Sequence, residues 1–181
     1  MDRRSFLKFG TLSLAACMFP VRLRAAVKKY IPSRKSLSFF NPNTDESLDV
    51  VYFENGHFVS DAMEAINHIF RDYRTEETRA INTELLNFLY AISDKLNLNS
   101  SRPFHIISGY RSPETNALMR KHSKKVAKNS YHIRGKAVDI RLPEYSTSLV
   151  RKTAMTLCMG GVGFYPKSNF VHVDVGQVRY W

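Results

Sequence analysis

Ser130-Tyr131-His132-Ile133-Arg134-Gly135-Lys136-Ala137-Val138-Asp139-Ile140 is the stretch that decides how this chain is read. From Ala137 to Leu142 apolar and polar residues alternate, as in a strand with one face on a core. Val138, Ile140 and Leu142 then share the core face, and Asp139 points to the other. A carboxylate between such neighbours needs a partner, because an unpaired charge out of water is costly. Gly135 lets the chain turn, so His132 can fold back beside Asp139. Phe170-Val171-His172-Val173-Asp174-Val175-Gly176 repeats the pattern. There Val171, Val173 and Val175 alternate with His172, Asp174 and Gly176. If these two strands are neighbours, His132, Asp139 and His172 converge. Two imidazoles and one carboxylate suit zinc, and three protein ligands leave a fourth position for water, as a catalytic zinc requires. Either His–Asp pair also fits a plain structural hydrogen bond, and the pattern alone leaves both readings open.

Outward from these strands the elements alternate. Leu48–Phe53 reads as a strand, Asn55-Gly56 as a turn and His57–Val59 as a returning strand. Asp61–Tyr73 has helical spacing at Met63, Ile66, Ile69, Phe70 and Tyr73, with Ser60 as the cap. Asn82–Leu96 is a second helix, with Leu85, Leu86, Leu89, Ile92 and Leu96 on one side. Phe104–Ile107 is a short buried strand. Ser112-Pro113 opens a helix running to about Lys121, with Ser112 as cap and Pro113 in the first turn. Thr147–Met159 is a helix in which Cys158 packs. His68 has no acidic or histidine partner at metal spacing and reads as a surface or packed histidine; His122 reads as a solvated residue near a helix end, with a weaker claim as a proton acceptor. The order of elements predicts an α+β domain, with helices on a mostly antiparallel sheet.

The first residues are set apart from the fold. Arg3-Arg4-Ser5-Phe6-Leu7-Lys8, followed by an apolar stretch from Phe9 to Pro20, reads as a twin-arginine export signal. The stretch is short of the roughly 20 apolar residues of a membrane-spanning helix. The expected division is a signal over 1–26, a basic linker over 27–38 and one domain over 39–181. Leu14-Ala15-Ala16-Cys17 also matches a lipoprotein box, which would tether the domain through Cys17. The chain of 181 residues carries a net charge of +11. Residues 1–25 hold five Lys/Arg and one Asp, leaving +7 on the rest. Nucleic-acid binding would rest on that charge alone and fits poorly with export to the periplasm. With Cys17 removed, Cys158 stands alone and no internal disulfide is expected.

Ser108-Gly109-Tyr110-Arg111-Ser112, His132 with Asp139, and Phe170-Val171-His172-Val173-Asp174 resemble the zinc D-Ala-D-Ala carboxypeptidase and endopeptidase family. That family shares its fold with lysostaphin-type peptidases and the hedgehog signalling domain. The resemblance extends over nearly the whole chain, including Phe70–Arg74 and Gly160–Pro166, and within the family points to murein endopeptidases. It implies a zinc cleft with one Zn2+ per chain, held by His132, Asp139 and His172. It implies peptidoglycan cross-links as the substrate: the 3–3 link between two meso-diaminopimelate residues, or the neighbouring D-Ala bond. It places Arg111 at the rim of the site, to grip a substrate carboxylate or the developing oxyanion. Ser108 and Tyr110 are candidates to shape the same pocket, and a turn-forming serine and a packed tyrosine fit those positions as well. Many relatives carry a general base three residues before the last ligand, or a histidine two before it. Here those positions are Asn169 and Phe170. Asp174 is the substitute, either as base or as a partner that orients His172 or Arg111. A non-catalytic wall-binding module with a structural metal is the competing class.

Overall fold

Residues 32–124 and 126–181 are described by a computed structural model. The expected signal and Cys17 lie outside the described residues. The strands are β1 (Arg34–Asn41), β2 (Glu46–Glu54), β3 (His57–Phe58), β4 (Phe104–Ser108), β5 (Ala137–Arg141), β6 (Gly161–Tyr165), β7 (Phe170–Asp174) and β8 (Arg179–Tyr180). The helices are α1 (Ser60–Ile69), α2 (Thr83–Leu96), α3 (Pro113–His122) and α4 (Thr147–Leu157). All eight strands form one sheet in the order β3-β2-β1-β4-β5-β7-β6-β8. Only β1/β4 and β6/β8 pair in parallel; the other pairs are antiparallel. The α+β reading holds.

The core lies between the apolar face of the sheet and the helices. Phe39, Phe104, Ile106, Val138, Ile140, Val162, Val171 and Val173 meet Ile66, Leu85, Leu89, Ile92, Val150 and Ala154. Each fully buried aliphatic side chain contributes about 1.5–3 kcal/mol against exposure, so this face fixes the register of β5 and β7. Local chemistry agrees at three helix starts. Asn82 accepts from the Glu84 N–H, Ser112 from Thr115 and Ser146 from Leu149, each cap contributing about 1 kcal/mol.

Several boundaries differ from expectation. Residues 34–38, expected within the linker, belong to β1, where Leu37 and Phe39 are buried and pair with β2. The basic residues Arg34 and Lys35 hid that alternation. Ser60 is inside α1, not its cap; Val59 holds that position without a side-chain hydrogen bond. α1 stops at Ile69, and Tyr73 follows in a turn that Asp72 organises by accepting from the Arg74 N–H. Cys158 does not pack in a helix. It is exposed and ends α4 in a left-handed conformation, φ 51°. β6 was not expected, because the three glycines of Gly160-Gly161-Val162-Gly163 are poor strand formers.

Candidate metal centre

The antiparallel register builds the site. Ser108 stands opposite Asp139, Asp139 opposite His172, and His172 opposite Gly163. This is one row running across β4, β5, β7 and β6 on the face away from the apolar core. A bulge between Ile106 and Ser108 re-aims β4 so that Ser108 joins the row. His132 arrives from a 3-10 turn, Tyr131–Arg134, which ends on Gly135 at φ 62°. A Cβ at Gly135 would lie 2.4 Å from the Ala80 carbonyl, so the turn needs glycine twice over.

Three ligand atoms converge there. His132 Nε2 lies 3.2 Å from His172 Nδ1 and 3.4 Å from Asp139 Oδ1, and His172 Nδ1 lies 2.8 Å from that oxygen. Three ligands on a tetrahedral zinc with bonds of about 2.0–2.1 Å stand roughly 3.3 Å apart. The far side of each ring is already committed. His132 Nδ1–H donates to the Gly109 carbonyl at 2.8 Å, so its Nε2 lone pair faces inward. His172 Nε2–H donates to Asp174 Oδ2 at 3.0 Å, so its Nδ1 faces the cluster. The donor set, its spacing and its outer hydrogen bonds therefore fit one divalent ion of the zinc type.

Charge is arranged to match. Burial pushes the His132 imidazole below its ordinary value, against the pull of Asp139, and keeps it neutral. Burial alone would raise Asp139, but His132 and His172 hold it well below the usual carboxylate range. Burial opposes protonation of His172, yet hydrogen bonds to Asp139 and Asp174 lift it to about 9 in the metal-free protein, so a bound ion would take the place of the proton on Nδ1.

The remaining sequence candidates divide. Ser108 and Arg111 belong to the site. Arg111 Nη2 donates to Ser108 Oγ at 3.2 Å and lies 3.8 Å from Asp139 Oδ2. Arg111 is only 7% exposed, buried beside Asp139. Its loop is clamped: Tyr110 N–H donates to the Phe70 carbonyl at 2.7 Å, Arg111 N–H to the His132 carbonyl at 3.3 Å, and Ser112 N–H to Asp72 at 2.9 Å. Gly109 has no room for a Cβ, which would sit 2.4 Å from the Phe70 oxygen. The Tyr110 ring is buried with the core cluster, and its hydroxyl reaches Glu77 at 3.4 Å. Asn169 is occupied by Arg141 and Thr147, and Phe170 stacks on Tyr165. His68 is exposed beside Glu46, and His122 is exposed at the end of α3.

Asp174 is fully buried with both oxygens in use. Oδ2 takes His172 and Arg179 Nη2 (2.7 Å); Oδ1 takes the Gly176 N–H (2.8 Å) and Arg179 Nη1 (3.0 Å). It sits against the ring edge opposite the ligand atom. Burial would raise its pKa, yet His172 and Arg179 hold it at about 2. Arg179 and Trp181 went unnoticed in the sequence. The signal available was a strand of glycines, which marks a close approach by other atoms.

The family described as "Peptidoglycan L,D-endopeptidase MepK" matches residues 29–181. The chain is 37% identical over 180 residues to "Peptidoglycan L,D-endopeptidase MepK" of Escherichia coli strain K12, covering 99% of this chain and 97% of that protein. The Shigella flexneri protein of that name gives the same figures. A Haemophilus influenzae protein named "Probable peptidoglycan L,D-endopeptidase MepK" is also 37% identical over 180 residues, 99% of this chain and 95% of that one.

Proposed function

The chain belongs to the peptidoglycan L,D-endopeptidase MepK family, and from that premise we propose that it hydrolyses cell-wall peptide cross-links with one zinc ion held by His132, Asp139 and His172. The bond assigned is the 3–3 link between two meso-diaminopimelate residues. The observation that carries this reading is the convergence of three ligand atoms, two of them imidazole nitrogens whose opposite ring nitrogens are already hydrogen-bonded. When bound, such an ion supplies Lewis acidity, polarising the scissile carbonyl and bringing a water's pKa toward about 7.

The chain's own residues do the rest. Gly109 fixes the His132 tautomer. Asp174 fixes His172 and, with four hydrogen-bond contacts already made, serves as its orienting partner and not as the proton acceptor. Arg111 brings a positive charge to within 3.8 Å of Asp139, where it can bind a substrate carboxylate or the oxyanion of the attacked amide. Among the described residues no helix is long and apolar enough to cross a membrane. Export by the twin-arginine route to the periplasm is part of this proposal, resting on residues 1–26, with lipidation at Cys17 as its membrane-tethered form.

The test is mass analysis of products from purified muropeptides carrying 3–3 and 4–3 links. Loss of the 3–3 species alone supports the assigned bond. Loss of the 4–3 species alone moves the assignment to the D-Ala bond. No cleavage of either makes the protein a wall-binding module.

A further inference from the structure

β8 and Trp181 are held against the ligand row by more than strand pairing. Trp181 N–H donates to the Val162 carbonyl at 3.2 Å, and the Phe164 N–H donates to the Trp181 carbonyl at 2.9 Å. Two glycines of β6 make the space. A Cβ on Gly163 would lie 2.7 Å from the Trp181 ring, and one on Gly161 would lie 2.5 Å from Asp174 Oδ2 and 2.6 Å from Arg179 Nη1. The Trp181 indole stands 5.4 Å from the His172 ring, with its N–H on the Tyr165 hydroxyl. The Arg179 guanidinium lies against both the Trp181 ring (5.0 Å) and the Tyr131 ring (5.5 Å), and grips Asp174 through two nitrogens.

We propose that Arg179 is a positioning residue of the metal centre, acting on the His172 ring through the buried Asp174 carboxylate. The inference rests on the proposed ligand set. Asp174 is wholly buried, so its two oxygens are held in place by the donors that reach them. Arg179 reaches both oxygens in a two-pronged contact, which fixes the plane of the carboxylate. That plane sets the direction of Oδ2, which sets the rotation of the imidazole and hence the aim of Nδ1. The aromatic rings of Tyr131 and Trp181 both lie against the guanidinium and help hold it.

A surface brace that only stabilises the fold would leave metal affinity untouched, and the experiment separates the two roles. The full chain is purified as wild type, Arg179→Gln and Arg179→Lys. Zn2+ affinity is measured by competition with a chromophoric chelator, and the thermal midpoint of each metal-stripped protein is recorded in parallel. Arg179→Gln is expected to bind Zn2+ about 10–100-fold more weakly. Arg179→Lys should recover part of the loss, since lysine returns the charge but not the two-pronged geometry. It also serves as the test variant if the glutamine protein does not fold. Folded variants that bind Zn2+ as tightly as wild type, whatever their midpoints, overturn the positioning role and leave the proposed function standing. A wild-type protein that binds no Zn2+ overturns both.

Discussion

Arg71 and Arg111 are almost equally buried, at 8% and 7% exposure, and their surroundings differ. Every side-chain nitrogen of Arg71 has a partner. Nε donates to Glu76 (2.7 Å), Nη1 to Glu46 (2.7 Å) and the His68 carbonyl (3.0 Å), and Nη2 to Glu46 (3.2 Å). Glu46 and Glu76 raise its pKa above the ordinary value. Arg111 has a long contact to Asn116 (3.5 Å), one to Ser108 (3.2 Å), and no partner at Nε among the described residues. Burial lowers its pKa, and Asp139, 3.8 Å away, only partly opposes that. Placing a charge out of water with its hydrogen bonds unmet costs stability. The cluster around Arg71 joins α1 to β2 and is complete in itself. The cluster around Arg111 keeps lone pairs, a donor and a carboxylate turned toward a common point, the arrangement expected of a site that receives something.

Substitutions in the two clusters should therefore separate function from stability. The largest effect is expected at the ligands. His132→Ala and His172→Ala should each abolish zinc binding and cross-link cleavage while the far-ultraviolet circular dichroism of the protein persists; full cleavage by either would remove that residue from the ligand set. Next is Asp174→Asn, which removes the charge that holds His172 Nε2–H. Zinc affinity should fall about 10–100-fold, read by chelator competition, whereas a general base would lower turnover with affinity intact. Arg71→Met belongs to the other cluster. It should lower unfolding free energy by about 2 kcal/mol in urea titration, below the roughly 3–5 of a fully buried broken pair, because Glu46 keeps 35% of its side chain in water. Zinc affinity should stay at the wild-type value, and a drop comparable to that of Asp174→Asn would erase the contrast.

The smallest effect is a pH dependence. Hydrogen bonds from Arg71 and Thr44 hold Glu46 at about 2 in the folded protein, against an ordinary value of 4.5. The folded pKa is depressed, so this contribution is present above about 4.5 and is lost as pH falls from there toward 2. Urea unfolding of the metal-stripped protein at pH 5 and pH 3 should show that loss in wild type and less of it in Arg71→Met. Equal slopes would mean that Glu46 is not held by Arg71.

Much of the candidate ligand set was legible because a strand's period of two has few solutions. Val138 and Ile140 had to face the core, so Asp139 faced away; Val171 and Val173 did the same for His172. What alternation could not say is which strands are neighbours, and the register of β5 on β7 placed Asp139 directly opposite His172. Side-chain direction in loops was less legible. Tyr110 lies in the same short segment as Arg111, yet its ring goes to the core and Arg111 to the site, a split set by the clamp between Phe70 and His132. Asp174 was read from its place two residues after His172, which gave the correct face. It could not reveal Arg179, because that contact depends on where β8 returns along β6. β1 was hidden by its basic opening and β6 by its glycines, although those glycines recorded the close approach of Arg179 and Trp181.

The central claim is that one ion at His132, Asp139 and His172 is required to cut the cross-link. Metal-stripped wild-type protein titrated with Zn2+ tests it, with cleavage of a purified 3–3 cross-linked muropeptide followed at each addition. Cleavage should be absent without metal, rise in proportion to added zinc, and stop rising at one equivalent per chain. Full cleavage by the stripped protein, or the same titration curve from His172→Ala, would contradict the account.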